Sequence, residues 1–244
     1  LDRIIQSQQE TITLLQNEKI LGKEITLAVL REFLRMTRET TEGQHLELSW
    51  VTNNRWDLQE EDYFLMCEKK TSWYTCISPM MLGGIIAGAN EEILSPLFSL
   101  GRDLGIAFQI RDDILNLLGN EDKYGKETMG DLWEGKRTLL IIRLLNLVPE
   151  AEERDKILRI MSQPRRQKQN EDMNFILDFM KKLHVFDYGN SRADELAKSA
   201  FSVFDTMISR LTGNDSSCRR AVETQTGGED QFTGLIVVKT GSRS

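Results

Sequence analysis

The stretch Gly105-Ile-Ala-Phe-Gln-Ile-Arg-Asp-Asp-Ile-Leu-Asn-Leu-Leu118 decides how the rest of the chain is read. Apolar residues at Ile106, Ala107, Phe108, Ile110, Ile114, Leu115, Leu117 and Leu118 surround a small polar set. Gln109, Asp112, Asp113 and Asn116 fall at i, i+3, i+4 and i+7, which puts them on one narrow face of an α-helix. Adjacent carboxylates on a helix otherwise built for burial are costly unless water or a cation meets them. A solvated face with ordinary surface acids satisfies the pattern. So does a cation site, and oxygen ligands with no His or Cys nearby suit Mg²⁺ better than zinc.

Helical periodicity extends outward from this stretch. Ile25, Ala28, Val29, Phe33 and Met36 make an apolar stripe over 25–41, and Thr41-Glu-Gly-Gln44 is expected to bend or end that helix. Further helices are expected over 56–68, 71–89, 91–118 (with Pro96 as a candidate break), 138–147, 150–161, 171–183 and 191–211. Residues 119–136, rich in glycine, are expected to form a loop, and 163–170 a polar connector. Four prolines in 244 residues leave room for long helices. The expected fold is all-α, a helical bundle over residues 1–212 followed by a polar tail over 213–244.

Composition excludes several functions. The net charge is −7, which argues against a nucleic-acid binder that relies on a basic surface. His45 and His184 are the two histidines, so no three-His metal site exists. Cys67, Cys76 and Cys218 are odd in number and form no C-x-x-C pair, which points to free thiols in a reducing, cytoplasmic setting. The opening LDRIIQSQQE is too polar for a signal peptide. Residues 71–90 carry no charge, but their continuous apolar part, Met80 to Ala89, is too short to span a bilayer. A buried central helix is expected there, with no transmembrane segment.

The segment after the Asp-Asp pair adds cations. Lys123, Lys126, Lys136 and Arg137 are interleaved with Glu121, Asp122, Glu127, Asp131 and Glu134, so the loop is not a basic patch. Lysines set beside placed carboxylates suit a polyphosphate held through metal ions. A plain surface loop is the other reading of this spacing.

Together these residues resemble a known family. Phe108-Gln-Ile-Arg-Asp-Asp-Ile-Leu-Asn116 is similar to the second aspartate-rich motif, FQxxDDxxD, of the trans-isoprenyl diphosphate synthases, or polyprenyl synthetases. Tyr124-Gly-Lys126 and Gly130-Asp-Leu-Trp-Glu-Gly-Lys-Arg-Thr138 resemble the family's following loop. Glu42-Gly-Gln-His-Leu-Glu47 resembles its GQxxD element, and Lys70-Thr71 its KT element on a central helix. The resemblance runs over about residues 15–211, and its wording is close to bacterial farnesyl and geranylgeranyl diphosphate synthases.

The resemblance implies an isoprenoid-synthase-type bundle with a central apolar cavity. It implies a Mg²⁺-dependent prenyltransferase that condenses an allylic diphosphate with isopentenyl diphosphate, giving a C15–C20 product, and a homodimer. Carried over residue by residue, Asp112, Asp113 and Asn116 hold metal, Asn116 being neutral where the pattern has Asp. Lys70, Lys126 and Lys136 contact diphosphate oxygens. Thr71 and Gln109 position the allylic chain, and Gln44 and Glu47 line the cavity wall. A terpene cyclase-like relative and an impaired regulatory subunit are the alternatives. The family's first aspartate-rich motif, DDxxD, has no counterpart here, since Asp112-Asp113 is the sole adjacent Asp pair. Missing N-terminal helices are the expected reason, and the chain by itself is expected to turn over poorly.

Overall fold

The computed structural model describes residues 18–119 and 128–212, with side chains through 209. A short helix, α1 (Glu18–Leu21), leads into α2 (Lys23–Thr52). A long rod then runs from Glu60 to Ile86: α3 (Glu60–Cys67), a π-helical segment (Glu68–Ile77) and α4 (Ser78–Ile86). Helices α5 (Glu91–Leu118), α6 (Gly130–Glu134), α7 (Leu139–Leu147) and α8 (Ala151–Ser162) follow. A 3₁₀ turn (Arg165–Gln167) precedes α9 (Asn170–Lys182) and α10 (Val185–Thr212). No strand occurs among the described residues. The chain divides into units 1–203 and 204–244; of the second, only the end of α10 is described. The expected tail, 213–244, and Cys218 lie outside the described residues.

The rod is the axis of the first unit, and its π segment packs most extensively against α5 and α2. Glycines make those approaches possible. A Cβ on Gly43 of α2 would stand 2.3 Å from the backbone nitrogen of Lys70. On α5, a Cβ at Gly101 would stand 2.8 Å from the Ile77 Cα, and one at Gly105 2.5 Å from the Ser72 Cα. This explains why α2 does not bend or end at residues 41–44. Its glycine serves close packing, and the helix runs through to Thr52.

Other boundaries have local causes. The helix expected from residue 56 begins at Glu60, because Gln59 and Asp62 form a capping box, with the Gln59 N–H donating to Asp62 Oδ2 at 2.8 Å. Trp56 stays in the preceding loop, its indole donating to Asn54 and Ser162. Pro96 does not break α5; it sits in the second turn, where it forfeits one backbone bond. The expected loop over 119–136 contains α6, and residues 120–127 lie outside the described residues. Thr138 caps α7, accepting from the Ile141 N–H.

The core gathers Ile106, Ile110, Ile114 and Leu117 of α5 with α7, α8 and α9. Helix α7 is apolar on nearly every side and buried accordingly. Cys67 and Cys76 are buried free thiols. Trp50 and Trp73 are packing residues, Trp73 meeting Phe98 edge-on. His45 is exposed. No described helix is long and apolar enough to cross a membrane.

Candidate functional site

The polar face of α5 opens onto a cavity of about 200 Å³. Gln109, Asp112 and Asp113 line it, opposite Lys70, Thr71 and Tyr74 of the π segment. Glu47 enters from α2, Tyr63 and Met66 from α3, and Asp131, Lys136, Arg137 and Thr138 from the segment after the loop. The wall is thus largely polar, with acids and cations in near balance.

A chain of hydrogen bonds sets the back of the cavity. The Thr71 hydroxyl donates to Gln109 Oε1 at 2.7 Å, and Gln109 Nε2 donates to Asp113 Oδ1 at 2.7 Å. The phenol of Tyr63, fully buried, donates to Asp113 Oδ2 at 2.8 Å. Both oxygens of Asp113 are therefore held, and the Gln109 amide has one orientation that serves both neighbours. Charged pairs flank this chain. Lys70 Nζ reaches both oxygens of Glu47 at 2.7 Å. Lys136 Nζ reaches Asp131 Oδ1 at 2.7 Å and Glu134 at 3.3 Å.

Titration follows from these contacts. Burial, then the negative charge of Asp131, pushes the Asp113 carboxyl up to about 7, against the pull of its Gln109 and Tyr63 hydrogen bonds. Asp131 is raised too, by burial first, although Lys136 opposes the shift. For Lys136, burial disfavours the ammonium but the contact with Asp131 outweighs it, and the net shift is upward. Tyr63 is raised by burial and by the Asp113 charge, so it remains a donor. Burial draws Arg137 down to about 10. It stacks 3.9 Å over the Trp56 ring and donates to Asn54 Oδ1 at 2.9 Å.

Lys70, Thr71, Gln109, Asp112, Asp113, Lys136 and Glu47 of the expected site residues are brought together. Gln44 is not; it is exposed, one turn before Glu47, and does not line the cavity. Asn116 is also outside the lining. Its Oδ1 accepts the Asp131 N–H at 3.0 Å and its carbonyl accepts the Met129 N–H at 2.8 Å, so it anchors the start of α6. Lys126 lies outside the described residues. Tyr63 and Asp131 were not expected as site residues. Tyr63, Met66 and Lys70 sit at i, i+3 and i+7, a helical spacing that could have flagged Tyr63. Asp131 carried no such signal.

Among the described residues, no group of three or more His, Cys, Asp or Glu side chains is arranged to hold a metal ion. The chemistry of the donors nonetheless fits a hard cation. Asp113 and Asp131 are acids raised first by burial, with the charge of Asp131 adding to the shift at Asp113 and those of Glu47 and Asp112 adding to the shift at Asp131, and a divalent ion relieves the same repulsion. Cations facing the same space supply contacts for anionic oxygens.

Known proteins share this arrangement of sequence and fold. The polyprenyl synthetase family model matches residues 9–180. The chain is 35% identical over 167 residues to a geranylgeranyl diphosphate synthase of Saccharolobus solfataricus, covering 68% of this chain and 47% of that one. It is 32% identical over 190 residues to the geranylgeranyl diphosphate synthase of Sulfolobus acidocaldarius, covering 78% and 56%. It thus spans about half the length of these relatives. Among solved structures, it is similar to a geranylgeranyl pyrophosphate synthase from Corynebacterium glutamicum complexed with isoprenyl diphosphate and magnesium. The TM-score is 0.69 at 27% identity, over 76% of this chain and 51% of that one. With its all-α fold and its match over most of its length, the chain belongs to the polyprenyl synthetase family.

Proposed function

We propose that the protein is a prenyltransferase that condenses an allylic diphosphate with isopentenyl diphosphate, yielding a trans-polyprenyl diphosphate of the C15–C20 class and free diphosphate. One observation carries this reading: buried carboxylates and lysines converge on a single cavity, with Gln109 and Thr71 between them. That composition suits a diphosphate held through metal. The relatives named for geranylgeranyl products support the C20 end of the range.

Asp112 and Asp113 are the residues proposed to hold Mg²⁺, with Asp131 beside them. Bound Mg²⁺ stabilises negative charge developing on a departing diphosphate. Lys70 and Lys136, with Lys126 beyond the described residues, are assigned to diphosphate oxygens. Each described lysine is already aimed by a carboxylate, Lys70 by Glu47 and Lys136 by Asp131. Thr71 and Gln109 are assigned to the allylic carbon next to the breaking bond, where their oxygens face a growing positive charge. Tyr63 fixes Asp113 from behind. Asn116 is assigned to positioning Asp131 rather than to the metal. A homodimer in the cytoplasm is the family-based expectation for assembly and location.

The test is calorimetric titration of inorganic pyrophosphate into the protein, with and without Mg²⁺. Mg²⁺-dependent binding that Lys136→Met weakens is the expected result. Binding indifferent to both would overturn the assignment. Incubation with allylic substrate, with and without labelled isopentenyl diphosphate, then checks the reaction: label entering a longer diphosphate, at the low rate expected of a chain with no counterpart of the first aspartate-rich motif, is the expected result, and a cyclic hydrocarbon formed without it would refute condensation.

A further inference from the structure

Behind the cavity wall lies a lysine that faces no substrate. Lys168 follows the 3₁₀ turn and is only 4% exposed. Its Nζ donates to the Leu132 carbonyl at 2.6 Å. Among the described residues it forms no ion pair with a carboxylate. Its nearest charged influences are Arg137 and Arg165, which repel it, and Asp172, which attracts it. Burying a long, charged side chain without a counter-ion costs both desolvation and rotamer freedom. A methionine would fill the same volume without that cost. The ammonium therefore has to be explained by what it holds.

It holds the end of α6. The Leu132 carbonyl also accepts the Gly135 N–H at 3.1 Å, closing the turn from which Lys136 projects. Gly135 has a φ of 70°, and a Cβ there would stand 2.7 Å from the Met161 carbonyl and 3.4 Å from Lys168 Nζ. The turn is thus clasped between the last turn of α8 and Lys168. At its other end, the segment is fixed by Asn116 on the Asp131 N–H. Asp131 and Lys136 extend from between these two anchors into the cavity.

We propose that Lys168 is a positioning residue for the diphosphate-binding wall, setting through the Leu132 carbonyl how far Lys136 reaches into the cavity. This rests on the cavity being a diphosphate site. Lys168 does not touch substrate; it acts through Lys136.

A double-mutant cycle on inorganic pyrophosphate binding with Mg²⁺ tests it. Lys168→Met is expected to weaken binding about tenfold, the equivalent of one charge-assisted hydrogen bond. In a Lys136→Met background, the same substitution is expected to change binding by less than about twofold, because the residue it acts through is gone. Lys168→Arg, which keeps a donor, is expected to restore most of the affinity. Hydrogen exchange gives the second readout: amides 131–136 exchange faster in Lys168→Met, while those of α9 keep their protection. Wild-type affinity in Lys168→Met overturns the proposal. So do additive effects with Lys136→Met, the signature of general destabilisation. If the wild-type protein binds no pyrophosphate, the diphosphate reading falls, and the exchange pattern still decides whether Lys168 holds the segment.

Discussion

Replacing Gly43 with alanine separates two opposite expectations. Gly43 lies inside a 30-residue helix, and by intrinsic propensity Gly43→Ala should add about 1 kcal/mol of stability. The structure reverses the sign. The new Cβ would meet Lys70 N at 2.3 Å, Lys70 Cα at 2.7 Å and Lys69 C at 2.8 Å. All three are backbone atoms, so no side chain can rotate away. Restoring an ordinary contact of at least 3.4 Å needs the helices to separate by roughly 1 Å. Overpacking of this kind costs about 3 kcal/mol at its upper end, which leaves a net loss of about 2 kcal/mol after the propensity gain. For a chain of this size that lowers Tm by roughly 4–8 °C. Urea unfolding at constant m-value, with calorimetric Tm, measures it. The same displacement draws Lys70 apart from Glu47, the α2 carboxylate that aims it into the cavity, so pyrophosphate binding should weaken in parallel. A Gly43→Ala protein as stable as wild type, or more so, would refute the close-approach argument.

Gly83→Ala is the matching control: nothing lies within 4 Å of a Cβ there, so the substitution should stabilise the protein by about 0.5–1 kcal/mol in the same urea assay. Tyr63→Phe keeps the ring but strips Asp113 of one of its two donors; a loss of about 1–3 kcal/mol on unfolding is expected, and an unchanged unfolding curve would show the bond to be dispensable. Asn116→Ala should cost about 1 kcal/mol through the lost cap while leaving the Mg²⁺ requirement of pyrophosphate binding intact; loss of that requirement would return Asn116 to the ligand set. Burial, helped by Arg137 and Arg165 and opposed by Asp172, lowers Lys168 to about 8 from its usual 10.5. The unfolded chain then holds more protons between those values, so the stability of wild type relative to Lys168→Met should rise as pH climbs from about 8 toward 10. A pH-independent difference in thermal unfolding would contradict a buried ammonium.

The helical face of α5 was legible because its information is local. Gln109, Asp112 and Asp113 share a face by spacing alone, and they line the cavity together. Asn116 shares that spacing yet stands outside the lining, because periodicity reports a direction and not what else arrives there. What arrives is the Asp131 N–H, 15 residues on. Tyr63 reaches Asp113 across 50 residues, a pairing no local pattern encodes. Gly43 shows the converse error. Read locally, a glycine between polar residues ends a helix, whereas here its missing side chain admits a second backbone. The resemblance to a family brought Lys70 and Thr71 to the site in advance, but not the exposure of Gln44, which depends on how α2 is rotated against the rod.

The glycines that grip the π segment bear on how such a site can change over time. Where helices meet through side chains, a cavity's width drifts by small increments as one aliphatic residue replaces another. Here Gly43 and Gly105 bring backbone against backbone, and the spacing between α2, the rod and α5 has no soft layer to adjust. The distance between Lys70 and the Asp112–Asp113 face is therefore a stepwise quantity, altered by gaining or losing a Cβ at a few positions and nearly blind to substitutions elsewhere in the core. In this protein the interior is thus free to be repacked without moving the lysine relative to the carboxylates.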